Sequence, residues 1–230
     1  MTRTSRVGIY GGTFNPIHIA HLRAAEEVAE ALDLERVVFV PSSQPPHKQT
    51  SEDDPIAPAA ERLAWVRIAV ADNPRFEVDA LEVERGGSSF AVETLRIIGR
   101  KTAPELPVFI IGHDAFVELG RWREPERLIT LANFAVTTRP PAEKGSLAEW
   151  LPSIYEEAVE IAPDGLSGRH RAAGTWIRLV EISLLDISSS DIRARLREGR
   201  SVRYLVPDAV GKAIARSGAF APAAKHGQRA

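Results

Sequence analysis

The stretch Gly11-Gly12-Thr13-Phe14-Asn15-Pro16-Ile17-His18-Ile19-Ala20-His21 holds residue types that could do chemistry together. Two adjacent glycines let a backbone approach a ligand closely, because no Cβ stands in the way. Asn15 is a good N-cap, and Pro16 suits the first position of a helix. On that reading His18 and His21, at i and i+3, share one helix face within the first two turns. Free N–H groups, the positive end of the helix dipole and two imidazoles then converge on one spot. A phosphate is the natural occupant. Zinc is the competing reading of the pair, but spacing brings no third ligand to it. The H-x-x-H order also lacks the glutamate of a metalloprotease helix. Neither G-x-G-x-x-G nor G-x-x-x-x-G-K-[ST] is present, so dinucleotide-oxidoreductase and P-loop logic do not apply.

A second helix start lies far along the chain, at Ile187-Ser188-Ser189-Ser190-Asp191-Ile192-Arg193. Ser188 and Asp191 fit the S-x-x-D/E capping arrangement. Three serines supply hydroxyl and backbone donors, and Arg193 can reach back to an anion. Smaller features accompany the two. Lys48 follows Gln44-Pro45-Pro46-His47, Gly112-His113-Asp114 follows an apolar run, and Trp122 stands in Arg121-Trp122-Arg123. Each has a plain alternative: a helix cap, a solvated loop lysine, a turn, a surface tryptophan. Their recurrence at the ends of candidate strands argues for one shared site.

The elements that would position these residues alternate. Apolar runs at Val7–Tyr10, Val37–Val40, Phe76–Val78 with Leu81–Val83, Val108–Ile111, Phe134–Thr137 and Trp176–Ile182 read as strands. Most are continuously apolar, which suits strands covered on both faces. Helical patterns lie between them at Ile19–Leu32, Ala59–Ala71, Phe90–Gly99, Pro125–Leu131, Leu147–Ile161, Ser189–Arg197 and Pro207–Ser217. Such alternation predicts a Rossmann-like, doubly wound α/β fold with a mostly parallel sheet and helices on both faces. Ligands of such sheets bind beyond the carboxyl ends of the strands. Pro41–Pro58, Arg139–Gly145 and Pro163–Thr175 read as loops, the first of them mobile. Residues 1–220 read as one domain, with 187–220 as a C-terminal helical portion and 221–230 as a disordered tail.

Composition narrows the classes. The 230 residues are 44% hydrophobic, enough for a full core. They carry 29 basic and 31 acidic side chains, so the net charge of -2 gives no reason to expect nucleic acid or a membrane as partner. The chain has no cysteine, which excludes disulfides, thiolate catalysis and cysteine-bound metals. No apolar run approaches the ~20 residues that span a bilayer, and the run after the basic N-terminus is too short for a secretory signal. The expectation is a cytoplasmic protein.

The Gly11–His21 string resembles the signature G-x-F-D-P-x-H-x-G-H of the nucleotidyltransferase superfamily. Ile187–Arg193 resembles its second signature, I-S-S-T-x-I-R, about 165 residues away. Further segments are similar to those of the bacterial nicotinate-nucleotide adenylyltransferases. These are Val40–Lys48, Ser88–Leu95 (against S-Y-T-x-D-T-L), Phe109–Asp114 (against F-I-I-G-x-D), Trp122, and Ser201–Pro207 (against S-I-R-Y-L-V-P). The resemblance runs from about Val7 to Phe220. Asn15 stands for the commoner aspartate, Ala20 for glycine, Ser190 for threonine and Ala91 for threonine.

This resemblance implies adenylyl transfer from ATP to nicotinate mononucleotide, giving nicotinate adenine dinucleotide and pyrophosphate in NAD biosynthesis. The attacking group is already an anionic phosphate, so positioning and electrostatics suffice without a covalent intermediate. His18, His21, Lys48 and Arg193 are the implied catalytic residues. Gly11, Gly12, Thr13, Phe14, His18, His21, Gly112, Asp114, Ser189, Ser190 and Arg193 are the implied ATP contacts. Lys48, main-chain amides around Phe90, Ala91 and Val92, and the ring of Trp122 are implied for the mononucleotide. Mg²⁺ is implied as cofactor, held mainly by phosphates and water rather than by protein ligands. The resemblance leaves a homo-oligomer open. The alternatives within reach are a related adenylyltransferase acting on nicotinamide mononucleotide or phosphopantetheine, and a non-catalytic nucleotide-binding protein.

Overall fold

The computed structural model describes residues 6–46, 55–138 and 145–221. Lys48 and the 222–230 tail lie outside the described residues. The elements run in the order β1 (Val7–Gly12), α1 (Ile19–Ala31), β2 (Arg36–Pro41), α2 (Ala59–Val70), β3 (Phe76–Val78), α3 (Leu81–Arg85), α4 (Ala91–Thr102), β4 (Val108–Gly112), α5 (His113–Val117), α6 (Pro125–Leu131), β5 (Asn133–Thr138), α7 (Leu147–Trp150), β6 (Val159–Ile161), β7 (Ser167–His170), β8 (Trp176–Glu181), α8 (Ser189–Arg197) and α9 (Asp208–Ser217).

Among the described residues, eight strands form one sheet in the order β3-β2-β1-β4-β5-β8-β7-β6. Strands β3 through β8 in that spatial order are parallel, and β7 and β6 add an antiparallel edge. Strand side chains alternate between two cores, as a period of two requires. Val37, Phe39, Val108 and Ile110 face one layer, with Ala25, Val28, Trp65 and Val66 of α1 and α2. Val38, Val40, Phe109 and Ile111 face the other, with Leu95, Phe116 and Leu128 of α4, α5 and α6. Ile192, Val210 and Ile214 of the C-terminal helices join the first core. The expected doubly wound α/β sheet is therefore present.

Three local readings need correction. Leu81–Val83 is not strand but the start of α3. Asp79 Oδ1 accepts from the Leu81 N–H at 2.9 Å, and that turn sends the chain into a helix. Leu147–Ile161 is not one helix. Helix α7 ends at Trp150 beside Pro152, a 3₁₀ turn covers Ser153–Tyr155, and β6 follows. Proline has no N–H to continue the ladder. The misleading signal was spacing, because Leu147, Leu151, Tyr155 and Val159 are all buried and lie four residues apart. Pro163–Thr175 is not all loop, since it contains β7, paired to both β6 and β8. The β7 sequence Ser-Gly-Arg-His has no apolar alternation to announce a strand.

Candidate active site

Strands β1 and β4 pair only from Gly8↔Val108 to Tyr10↔Ile110. Beyond that point β1 stays with β2 as far as Gly12↔Pro41, and β4 stays with β5 as far as Gly112↔Thr137. The two halves of the sheet part there, and a crevice opens at the reversal of strand order. Gly12 forms its lip. A Cβ on Gly12 would stand 2.9–3.2 Å from the ring of Phe14, so only glycine lets the turn close. Phe14 takes a left-handed φ of 47°. Its ring is buried in the core against Tyr10, Phe39 and His21, which leaves its backbone for any ligand.

Helix α1 does not start where local capping rules place it. Its N-cap is His18, and the Asn15–Pro16 peptide, which is cis, precedes the helix. The Asn15 side chain is engaged elsewhere. Its Nδ2 donates to Pro55 O at 3.1 Å, and its Oδ1 accepts from Ala57 N at 3.0 Å. A long-range tie to the returning chain has displaced the local cap. His18 and His21 consequently sit at N-cap and N3 rather than both inside the helix. Their rings stack with centroids 3.7 Å apart and planes at 25°. The His18 N–H donates to His21 Nδ1 at 3.2 Å. His18 is 5% exposed, and its Nδ1 has no hydrogen-bond partner among the described residues. Burial lowers its pKa from the usual 6.5 to about 4, so it is neutral at pH 7.

Helix α8 reaches this spot from the other end of the chain. Ser188 Oγ accepts from the Asp191 N–H at 3.1 Å, the cap expected from sequence. Ser189 Oγ donates to Pro16 O at 2.9 Å. Arg193 is buried, and its guanidinium donates to Asn15 O at 2.8 Å and to Ser190 Oγ at 3.1 Å. The two phosphate-type helix starts are thus bonded directly to each other.

Across the crevice, Gly112 is the N-cap of α5, and Asp114 presents a side chain that is 85% exposed. A cavity of about 600 Å³ opens beside Gly11–Thr13. Phe90, Ala91 and Trp122 are among its walls. Phe90 is the N-cap of α4, whose first amides have no partner within their own helix. Arg123 lies over the Phe90 ring, 4.6 Å from its centroid. The Val92 side chain is fully buried, which restricts Val92 to main-chain contact. His18, His21 and the serine turn do not line this cavity. The histidines and the serine turn thus lie beside this cavity, outside its walls.

The sequence profile described as Cytidylyltransferase-like matches residues 9–195. A "Probable nicotinate-nucleotide adenylyltransferase" of Citrifermentans bemidjiense is 45% identical over 206 residues, 89% of this chain and 93% of that one. A protein of the same name from Geotalea daltonii is 42% identical over 91% of this chain and 95% of its own. The chain belongs to the nicotinate-nucleotide adenylyltransferases of the cytidylyltransferase-like family. Its fold is similar to that of the Plasmodium falciparum nicotinic acid mononucleotide adenylyltransferase complexed with NaAD. The TM-score is 0.69, with 16% identity, over 95% of this chain and 98% of that one.

Buried Arg62 and Glu82 lie outside every quoted motif, whereas Thr94 and Ser42 fall inside the Ser88–Leu95 and Val40–Lys48 segments. Arg62 is 1% exposed, Glu82 is 6% exposed and Thr94 is 2% exposed. Glu82 lines the cavity and accepts a short hydrogen bond from the Thr94 hydroxyl. Ser42 Oγ, at the cavity wall, has no hydrogen-bond partner among the described residues. One signal could have found Arg62. It falls with Trp65, Val66 and Ala69 at i, i+3, i+4 and i+7, on the buried face of α2.

Proposed function

We propose that this protein transfers the adenylyl group of ATP to nicotinate mononucleotide, forming nicotinate adenine dinucleotide and releasing pyrophosphate. The observation that carries the reading is the hydrogen-bonded junction of α8 with the Asn15–Pro16 turn, beside the stacked histidines and next to the cavity. Two helix N-termini brought to one place suit a triphosphate. A cavity alongside, walled in part by Phe90, Phe109 and Trp122, suits a pyridine mononucleotide.

The roles proposed are those the family resemblance implies. Gly11, Gly12, Thr13 and Phe14 offer backbone to the ATP phosphates, and His18 and His21 offer ring N–H donors. Ser189, Ser190 and Arg193 shape and hold the turn at the β and γ phosphates, and residues 187–220 complete this nucleotide site. Gly112 and Asp114 serve the adenosine ribose, with the carboxylate accepting from its hydroxyls. Trp122 stacks on the pyridine ring, and the first amides of α4 at Phe90, Ala91 and Val92 take the nicotinate carboxylate. Lys48, outside the described residues, is proposed to neutralise charge shared by the two substrates. The nucleophile needs no deprotonation, so alignment and charge stabilisation do the chemistry.

Among the described residues no cluster of three or more Asp, Glu or His side chains could hold a metal. Mg²⁺ is proposed to arrive on the triphosphate with its waters. The ion would neutralise the departing pyrophosphate. Among the described residues no helix is long and apolar enough to cross a membrane.

The test is pyrophosphate release with ATP and each pyridine mononucleotide in turn. Wild type should favour the acid over the amide, and His18→Ala should lower turnover about a hundredfold or more, as loss of a charge-stabilising donor does. Unchanged turnover in His18→Ala would remove His18 from the phosphate site.

A further inference from the structure

Arg62 is the most deeply buried cation among the described residues, and the proposed transfer gives it no direct part. Each of its three guanidinium nitrogens donates to a backbone carbonyl. Nε donates to Ala57 O at 2.9 Å, one terminal nitrogen to Thr13 O at 2.6 Å, and the other to Ser43 O at 2.8 Å. The three carbonyls come from three separate segments. Thr13 belongs to the turn after β1. Ser43 belongs to the segment after β2, where Ser42, Pro45 and Pro46 line the cavity. Ala57 belongs to the chain that returns toward α2 and is also tied to Asn15.

A guanidinium is flat, with donor directions fixed by its own bonding. Three acceptors bound to one such fork cannot move independently. A trans peptide is also planar, so each carbonyl points opposite to the next N–H. Turning Thr13 O toward Arg62 turns the Phe14 N–H the other way. Turning Ser43 O toward Arg62 does the same for the Gln44 N–H. The buried fork thus sets the direction of two backbone donors without reaching a ligand. Burial lowers the Arg62 pKa only to about 10, and the nearby Glu82 carboxylate supports its charge, so the fork is intact at pH 7.

We propose that Arg62 is a positioning residue: it locks the phosphate turn at Thr13 and the cavity-lining segment at Ser43 into one fixed relation, so that the two substrates meet in line. This rests on the adenylyl-transfer reading above. Lysine in its place keeps the charge but has no planar fork, and methionine fills the space without charge.

The experiment compares wild type with Arg62→Lys by two readouts. Amide exchange is followed by mass spectrometry in peptides covering residues 11–15 and 42–46, with α4 as the internal reference. Pyrophosphate release is measured per molecule competent to bind a non-hydrolysable ATP analogue, so that unfolded protein is not counted. The expected result is exchange faster by about tenfold or more in both peptides and unchanged in α4. The rate per competent molecule should fall about thirtyfold, in the range misalignment produces, with analogue affinity within about threefold. Either change without the other overturns the proposal, as does the absence of both. Arg62→Met replaces the lysine variant if that fails to fold, with the same expectations. Failure of both to fold in the cold would assign Arg62 to general stability and overturn it too. If wild type releases no pyrophosphate with either mononucleotide, the transfer reading fails. The exchange result then still decides whether Arg62 holds the two segments together.

Discussion

Replacing His18 by asparagine should flatten the acid limb of the protein's stability profile. His18 titrates near 6.5 when unfolded and at about 4 when folded, because burial disfavours the imidazolium. Its folded pKa is depressed, so the unfolded chain binds the extra proton between those values. Stability from the neutral buried ring is complete above about pH 7 and is lost as pH falls from about 6.5 toward 4. The loss amounts to about 1.3 kcal/mol between pH 7 and 5.5, and about 2.4 kcal/mol between pH 7 and 4.5. Asparagine does not titrate, so the variant lacks this pH dependence. Urea unfolding of both proteins at several pH values, followed by circular dichroism, gives the difference directly. The variant is expected to be less stable at pH 7, with the gap closing by about 2 kcal/mol at pH 4.5. Parallel profiles within about 0.5 kcal/mol would refute the argument, because they would mean that His18 is solvated or charged. Repeating the series with bound ATP adds a check on the site. Phosphate oxygens beside the ring favour the imidazolium, so ATP affinity should rise as pH falls from 7 to 5 in wild type more than in the variant.

Two substitutions examine the crevice and the cavity. Gly12→Ala puts a Cβ within 2.9–3.2 Å of a Phe14 ring that Tyr10 and Phe39 hold in place; the overpacking should cost about 2 kcal/mol in urea unfolding and weaken ATP binding. A change under about 0.5 kcal/mol would mean that the turn yields. Trp122→Ala should raise KM for the pyridine mononucleotide about tenfold, the value of one lost aromatic stack, and leave KM for ATP unchanged. An equal rise in both would place Trp122 outside the mononucleotide compartment.

The parallel sheet and its two cores were legible because apolar runs and helical periods alternate along the chain. Helices α6 and α8 have the bounds that sequence expected, since Pro125 and Ser188 mark their starts. The β6–β7 edge was not legible. Its strands are short, and one of them is polar, so pairing with β8 makes the strand rather than any local preference. The same contrast holds at the site. His18, His21 and the serine turn stand in compact patterns that the sequence singles out. The true N-cap of α1 was not, because Asn15 is held by Pro55 and Ala57 from forty residues away. Hydrogen bonds of that kind leave no spacing to read.

The two most telling side chains answer opposite demands. His18 is buried and neutral, although it lies where phosphates are proposed to bind. Arg62 is buried and charged, although all three of its nitrogens donate to carbonyls. Charge that meets the ground state and the transition state equally binds both, and uniform binding does not raise turnover. A neutral ring N–H and oriented backbone amides act as fixed dipoles, which need no reorganisation when charge shifts onto the leaving pyrophosphate. A cation spent on carbonyls keeps those dipoles aimed while staying out of reach of the ligand. On this argument, moving the positive charge outward should tighten ATP binding without raising turnover. A Thr13→Lys substitution, on the loop at the cavity wall, is the direct case. Tighter binding with faster turnover in that variant would show that added charge, not dipole alignment, limits the reaction.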